Sequence, residues 1–199
     1  MNAKRAKSAK IFAFHMHLGE LNALDAESAA RELLRCCGST RWVERMVAAR
    51  PFLDTPTLAD TADRVWWGLD RGDWLEAFAA HPRIGDRGAG GAGRAGGAGR
   101  ASGGAAGAEQ WSAQEQSGVA GAPRDVTERL AIANRDYERR FGYIFIVCAT
   151  GKSAVEMLGA LERRLANPPE QELRIAAEEQ RKITRLRLAK LLDLDTIQV

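Results

Sequence analysis

A single strand-like run limits what this chain can fold into. Residues 141–150, Phe-Gly-Tyr-Ile-Phe-Ile-Val-Cys-Ala-Thr, are rich in the β-branched and aromatic residues that favour a strand. No other segment offers a partner strand, because elsewhere the apolar residues recur at helical spacing. We therefore predict an all-α fold, a compact multi-helix bundle of about seven to eight helices, in which this run is an apolar extended connector. Its backbone polar groups must find partners outside a sheet, so the run is a candidate for ligand contact.

Length and composition predict one domain with two appendages. The chain has 199 residues, and 45% of them are hydrophobic, which is enough for a core. We expect residues 1–18 to form a basic N-terminal tail and residues 19–195 to form a single all-helical domain. Residues 88–108 interrupt this domain with 10 Gly, 8 Ala, two Arg and one Ser. Such a tract cannot bury enough apolar surface to offset its ordering entropy, so we predict a disordered Gly/Ala-rich loop.

Charge and cysteine content exclude several classes of partner. The net charge is +3, and two of these charges, Arg94 and Arg100, lie in the Gly/Ala tract, so no nucleic-acid partner is expected. The three cysteines form neither a CxxC motif nor an even set, which indicates reduced thiols, a cytoplasmic location and no metal site. No apolar run approaches the roughly 18 residues of a membrane span, so no membrane partner is expected.

Helix boundaries are marked by several capping and stop residues. Asp25 is a plausible N-cap for one helix, and Ser39 or Thr40 can cap the next. Pro56-Thr57 is predicted to start a third helix, and Pro168-Pro169 opens the last one, which runs to about Leu192. The tryptophans Trp42, Trp66 and Trp67 are predicted to lie in the core.

The first candidate for chemistry is His81. A helix with apolar residues at Trp74, Leu75 and Phe78 must stop before Pro82, because proline disfavours helical geometry at the preceding residue. An imidazole is therefore left at a helix C-terminus, and histidine is the side chain that titrates near neutrality without perturbation. Taken alone, a capping or surface histidine is the commoner explanation.

Two further candidates also have structural explanations. Ser112, followed three residues later by Glu115, has the spacing of a capping box. Arg187 and Gln180 fall on the apolar sector of the last helix, where a charged side chain is unfavourable unless it is paired or functional. Arg187 either grips a planar anion bidentately or forms a buried salt bridge, and the pattern leaves both readings open.

Four fragments, taken in order, resemble one family. They are His81-Pro-Arg-Ile-Gly85, Ser112-x-x-Glu115-Gln116, the run from Arg140 to Val147, and Glu179-Gln-Arg-Lys-Ile-Thr-Arg-Leu-Arg187-Leu. Together with Leu165-x-Asn167 and Glu172-Leu173, this order is similar to that of the 2-oxo-4-hydroxy-4-carboxy-5-ureidoimidazoline (OHCU) decarboxylase family of uric acid catabolism. The resemblance covers roughly residues 19–193 and is interrupted by the Gly/Ala tract.

The resemblance implies an all-helical lyase that needs no cofactor and is commonly a homodimer. It implies that the small-molecule ureidoimidazoline substrate is decarboxylated to (S)-allantoin, with His81 as the catalytic proton donor and Glu115 beside it as a second catalytic residue. Substrate binding is implied for the residues that match the family's motifs: Pro82, Ser112, Ala113, Gln114, Glu115, Gln116, Phe145, Ile146, Val147, Cys148, Ala149 and Arg187.

The chemistry of such a substrate explains these residue types. Decarboxylation leaves an electron pair that the ring imine can accept, so the protein has to anchor the anionic ring, hydrogen-bond it and protonate one face. Arginine suits the first task, a carboxylate the second and histidine the third. Two alternatives remain at this point: a helical interaction module without catalysis, and a related helical lyase or hydrolase that acts on another ureide.

Overall fold

The prediction of an all-α fold is confirmed. The computed structural model describes residues 16–84, 111 and 121–194, and none of these residues lies in a strand. Eight helices lie wholly within the described residues. They are α1 (Leu18–Ala23), α2 (Ala26–Cys36), α3 (Thr40–Ala48), α4 (Thr55–Trp67), α5 (Arg71–Ala79), α6 (Arg124–Phe141), α7 (Ala154–Arg164) and α8 (Pro169–Leu191). The Gly/Ala tract lies outside the described residues.

Helix starts follow the capping chemistry of the sequence. The Asp25 carboxylate accepts the Ser28 N–H at the start of α2, and the Ser39 hydroxyl accepts the Trp42 N–H at the start of α3, as predicted. Helix α4 begins one residue before the predicted Pro56, because the Asp54 carboxylate accepts the Thr57 N–H and so caps the helix from further back.

Three indole groups connect the central helices. Trp42 Nε1 donates to Ala62 O at 3.2 Å, which joins α3 to α4. Trp66 Nε1 donates to Ala177 O at 2.9 Å and joins α4 to α8, while Trp74 Nε1 donates to Trp66 O at 3.1 Å and joins α5 to α4. Each indole thus buries a large apolar ring and still satisfies its one donor.

One of the tryptophan predictions is wrong. Trp42 and Trp66 lie in the core, but Trp67 is 41% exposed. Helix α4 turns by about 100° per residue, so neighbouring positions cannot both face the core. Trp67 instead packs edge-on against Trp74, with ring centroids 5.8 Å apart, at the rim of the bundle.

Helix α8 is the longest helix in the described part of the chain. It packs against α2, α4 and α5, and its buried positions run along its whole length. Helices α6 and α7 form a second pair, and a buried ionic cluster of Tyr137, Arg164 and Glu172 ties both of them to the first turn of α8. In the described part of the chain, no helix is long and apolar enough to span a bilayer.

Candidate active site

His81 lies where α5 ends and the chain turns towards α6. Its backbone N–H donates to Phe78 O at 3.1 Å, which closes the last turn, and its side chain is half-buried. Beyond Pro82, the Arg83 guanidinium holds the Glu138 carboxylate of α6 through bonds of 2.8–3.1 Å. Ile84 is buried, and its carbonyl accepts from Asn134 Nδ2 at 3.1 Å. Both sides of the His-Pro step are therefore fixed to helices, so the position of His81 is defined by the fold.

The end of α5 packs closely against the turn that follows α2. Gly38 follows α2, and a Cβ added to it would lie far inside van der Waals distance of Ala80 Cβ. Only glycine lets the α2–α3 turn come this close to the residue that precedes His81. The sequence indicated Gly38 only as a helix stop, because a contact between residues 42 positions apart leaves no local signal.

Arg187 lies beside the same turn. Its side chain is buried, as its place on the apolar sector predicted, and its charge acts on the thiols of Cys36 and Cys37. Thr184, one turn earlier on α8, also hydrogen-bonds the Cys37 thiol, and Gln180 Nε2 donates to Thr184 Oγ1 at 3.3 Å. The turn at residues 36–39 is thus a shared neighbour of Arg187 and of the helix end that carries His81.

The two thiols beside Arg187 are neutral. Burial raises the pKa of Cys37 to about 12, and burial also raises the pKa of Cys36, although the Arg187 cation lowers both values in part. Neutral thiols do not compensate the Arg187 charge, so a carboxylate, whether from the protein or from a ligand, suits this position.

The apolar connector lies between α5 and α8. It runs through residues 144–149 without helix or strand, and Phe145 to Ala149 are all buried. Tyr143 at its start packs against Phe78 of α5, with ring centroids 5.4 Å apart. At its far end, the Cys148 N–H donates to Glu179 Oε2 of α8 at 2.8 Å. The prediction that its backbone groups bind partners outside a sheet is confirmed.

Side chains supply most of these partners. Ile146 O accepts from Arg164 Nη1 at 2.8 Å, and Cys148 O accepts from Lys152 Nζ at 2.6 Å. Neither Lys152 nor Arg164 is predicted as a site residue from the sequence, because both have the ordinary pattern of helix-end cations. Glu179 stands in a family fragment, but its spacing alone gives it no role.

Part of the predicted site lies outside the described residues. This part comprises Ser112, Ala113, Gln114, Glu115 and Gln116. The residue before them is described: the Trp111 ring lies under the Arg35 guanidinium of α2, 4.5 Å from its centroid. In the described ranges, no group of three or more His, Cys, Asp or Glu residues is arranged to hold a metal ion.

Comparison with known proteins identifies the family. A sequence model described as OHCU decarboxylase matches residues 22–189, which is most of the chain. The chain belongs to the OHCU decarboxylase family. The resemblance carried by the four sequence fragments is thereby confirmed.

Relatives of this OHCU decarboxylase family member differ in architecture. The chain is 37% identical over 157 residues to the uric acid degradation bifunctional protein TTL of Arabidopsis thaliana, covering 78% of this chain but 45% of that protein. It is 28% identical over 174 residues to the 2-oxo-4-hydroxy-4-carboxy-5-ureidoimidazoline decarboxylase of Haloferax volcanii, covering 87% of this chain and 94% of that protein. The chain thus spans less than half of the first relative and nearly the whole of the second.

Solved structures agree with the fold. A crystal structure of OHCU decarboxylase in the presence of (S)-allantoin is 37% identical, with a TM-score of 0.66, and covers 82% of this chain and 98% of that chain. A crystal structure of (S)-allantoin synthase, 19% identical with a TM-score of 0.61, supports the fold alone.

Proposed function

We propose that this chain decarboxylates 2-oxo-4-hydroxy-4-carboxy-5-ureidoimidazoline to (S)-allantoin in urate catabolism, without a cofactor. One observation carries the proposal most directly: the turn at residues 36–39 lies beside Arg187 and also contacts Ala80, the residue before His81, although His81 and Arg187 are 106 residues apart in the sequence. A titratable imidazole and a buried guanidinium beside one turn suit an anionic substrate that must be protonated. A decarboxylase relative of nearly the same length, and a neighbour crystallised with (S)-allantoin, support the same substrate class.

The reaction proceeds in two chemical steps. The bond between the ring carbon and its carboxylate breaks, carbon dioxide leaves, and the electron pair moves into the ring towards the imine nitrogen. The imine nitrogen takes up a proton, a second proton is added to the carbon that bears the ureido group, and the ring hydroxyl loses its proton as the carbonyl of allantoin forms, so that one proton is gained for each carbon dioxide released. The face that receives the new proton decides the enantiomer, so a single fixed donor explains an (S) product.

Each residue has one task in this scheme. Arg187 binds the anionic, carbonyl-rich ring, since guanidinium matches planar oxygen acceptors. His81 delivers the proton from the end of α5. Glu115 accepts hydrogen bonds from the ring hydroxyl or the ureido N–H, a role that rests on the family's motif. The remaining motif residues, Ser112 to Gln116 and Phe145 to Ala149 with Pro82, complete the binding site.

The decisive experiment measures stereochemistry. Urate is oxidised and hydrolysed enzymatically to give fresh OHCU, and (S)-allantoin is followed by circular dichroism. We expect His81→Ala to abolish stereospecific formation, with a rate loss on the order of 10²–10⁴, because the positioned acid is gone. His17→Ala is the matched control, since His17 is exposed at the N-cap of α1. Unchanged (S)-allantoin formation by folded His81→Ala would reject the assignment.

Assembly and location belong to the same proposal. We infer a homodimer from the family's common state, and light scattering on the eluting peak tests it against a monomer of 21.7 kDa. A cytoplasmic location is supported by the cysteines, because Cys36, Cys37 and Cys148 are buried thiols that form no disulfide.

A further inference from the structure

Cys148, near the far end of the connector, is held at both of its backbone polar groups. The Cys148 N–H donates to the Glu179 carboxylate at 2.8 Å, and the Cys148 carbonyl accepts from the Lys152 ammonium at 2.6 Å. These are charge-assisted hydrogen bonds, which are stronger than those between neutral groups. The N–H belongs to the Val147–Cys148 peptide unit and the carbonyl to the Cys148–Ala149 unit, so the two bonds fix two consecutive buried peptide units.

The Glu179 side chain is largely buried, and both of its carboxylate oxygens are hydrogen-bonded. Its side chain is 14% exposed, and its second carboxylate oxygen binds Lys182 Nζ at 2.7 Å. The Glu179 carboxylate is therefore held by an ion pair within α8 as well as by its bond to the connector. Lys182 also supplies the positive charge that compensates a partly buried carboxylate.

Helix α8 relates this clamp to the proposed anion site. Glu179 and Arg187 are eight residues apart on the same helix, a separation of about 12 Å along the axis. A continuous helix keeps that separation constant. The connector and Arg187 are thereby set at a fixed distance, although they come from segments about 40 residues apart in the sequence.

We propose that Glu179 is a positioning residue for decarboxylation, acting through the Cys148 peptide. This inference rests on the proposed function, in which the connector contacts the substrate through its backbone. Because the Cys148 N–H is already donated to Glu179 and the Ala149 carbonyl accepts from the Lys152 N–H, a bound ureidoimidazoline takes its contacts from the Val147 carbonyl and the Ala149 N–H, which belong to the same two peptide units. Glu179 fixes the direction in which those groups point and does not itself touch the substrate.

The test compares two substitutions at one position. Glu179→Ala removes the acceptor, and we expect kcat/KM to fall on the order of 10²-fold, because small misplacements of a binding group have effects of that size. The loss should fall mainly on KM, since the connector binds the substrate in the ground state and in the transition state alike. Glu179→Gln keeps an acceptor oxygen for the Cys148 N–H, so it should recover most of the wild-type activity.

The chain offers a matched control on the same helix. Glu178 makes the same kind of i,i+3 ion pair, with Arg181 at 2.7 Å, but its side chain is 38% exposed and its bonds are to Arg181. Glu178→Ala should therefore leave KM and kcat near the wild-type values. Lys152→Met releases the Cys148 carbonyl, in the next peptide unit, and should raise KM in the same direction as Glu179→Ala.

A spectroscopic readout separates the failure of this inference from failure of the proposed function. In ¹⁵N–¹H spectra, the Cys148 amide proton should move upfield in Glu179→Ala and return in Glu179→Gln. If the wild-type protein does not decarboxylate OHCU, the proposed function fails whatever that resonance does. If the wild-type protein is active and the Cys148 resonance moves, but both Glu179→Ala and Lys152→Met keep the wild-type KM, the positioning role is refuted.

Discussion

Removing the Glu172 carboxylate should destabilise this fold more than any surface substitution on the same helix. Glu172 lies in the first turn of α8 and has no exposed surface. Its carboxylate accepts from Arg164 Nε at 2.8 Å, from Asn167 Nδ2 at 2.7 Å and from the Tyr137 hydroxyl. One side chain thus joins α6, α7 and α8 at a point that water does not reach.

The magnitude follows from what the substitution leaves behind. Glu172→Ala strands the Arg164 guanidinium, whose side chain is only 12% exposed, without its counter-charge. Breaking a buried ion pair in this way typically costs about 3–5 kcal/mol of folding free energy. A domain of this kind has a total stability of about 5–15 kcal/mol, so a fifth or more of it should be lost. Tyr137→Phe removes one hydrogen bond to a charged group and should cost about 1.5–3 kcal/mol.

Urea unfolding, monitored by tryptophan fluorescence, measures these differences. The matched control is Glu170→Ala, since Glu170 occupies the same first turn but is 85% exposed and meets Arg71 at 3.4 Å. Exposed pairs of this type are worth about 0–1 kcal/mol. The paired replacement Arg164→Met with Glu172→Leu should be more stable than Glu172→Ala, because it leaves no unpaired buried charge. Equal losses for Glu170→Ala and Glu172→Ala would refute the reasoning.

Two further outcomes follow from the turn at residues 36–39. Gly38→Ala should lower stability by about 1–3 kcal/mol and reduce activity, because the new Cβ meets Ala80 and displaces the helix end before His81. Adding Ala80→Gly to the same chain should restore both stability and activity. Gly19→Ala is the control, because a Cβ at Gly19 meets nothing within 4 Å. The second outcome concerns pH. Burial raises the pKa of the Cys37 thiol from 9.0 to about 12, so above pH 9 the unfolded chain binds fewer protons than the folded chain. The stability that this thiol contributes is fully present below pH 9 and is lost progressively up to about pH 12. Above pH 9, the unfolding free energy of the wild type should therefore fall more steeply with pH than that of Cys37→Ala, by about 1.4 kcal/mol per pH unit. Unfolding measured between pH 8 and 10 tests this difference, and parallel curves for the two proteins would contradict the prediction.

Local chemistry made much of the fold predictable from the sequence. The Asp25 and Ser39 caps bind N–H groups three residues ahead of them, so their roles depend on neighbours in the sequence. The lack of a partner for the strand-like run was visible as well, because a partner would have needed its own β-branched segment. The burial of Arg187 followed from helical periodicity alone.

Features that depend on contacts between distant segments were not predictable. Glu170 and Glu172 have the same residue type and lie in the same helical turn, yet one is exposed and the other carries the buried cluster. The tight contact at Gly38 exists because α5 ends against the α2–α3 turn, a fact of tertiary packing. Trp67 was misplaced because its neighbour Trp66 takes the core-facing position.

Helix α8 carries residues for both the stability of this fold and its candidate chemistry, and the length of the helix separates the two sets of residues. Its 23 residues carry Glu172 in the first turn, Glu179 in the middle and Arg187 near the end. Glu172 and Arg187 are separated by 15 residues, or about 22 Å along the axis, and sites this far apart normally act additively. The short route from the buried cluster to the site runs through the Arg164 guanidinium to the Ile146 carbonyl. A change at Glu172 that leaves the chain folded should therefore reach the proposed site through the connector, which makes the connector, rather than the helix, the element that we expect to couple packing to the proposed catalysis.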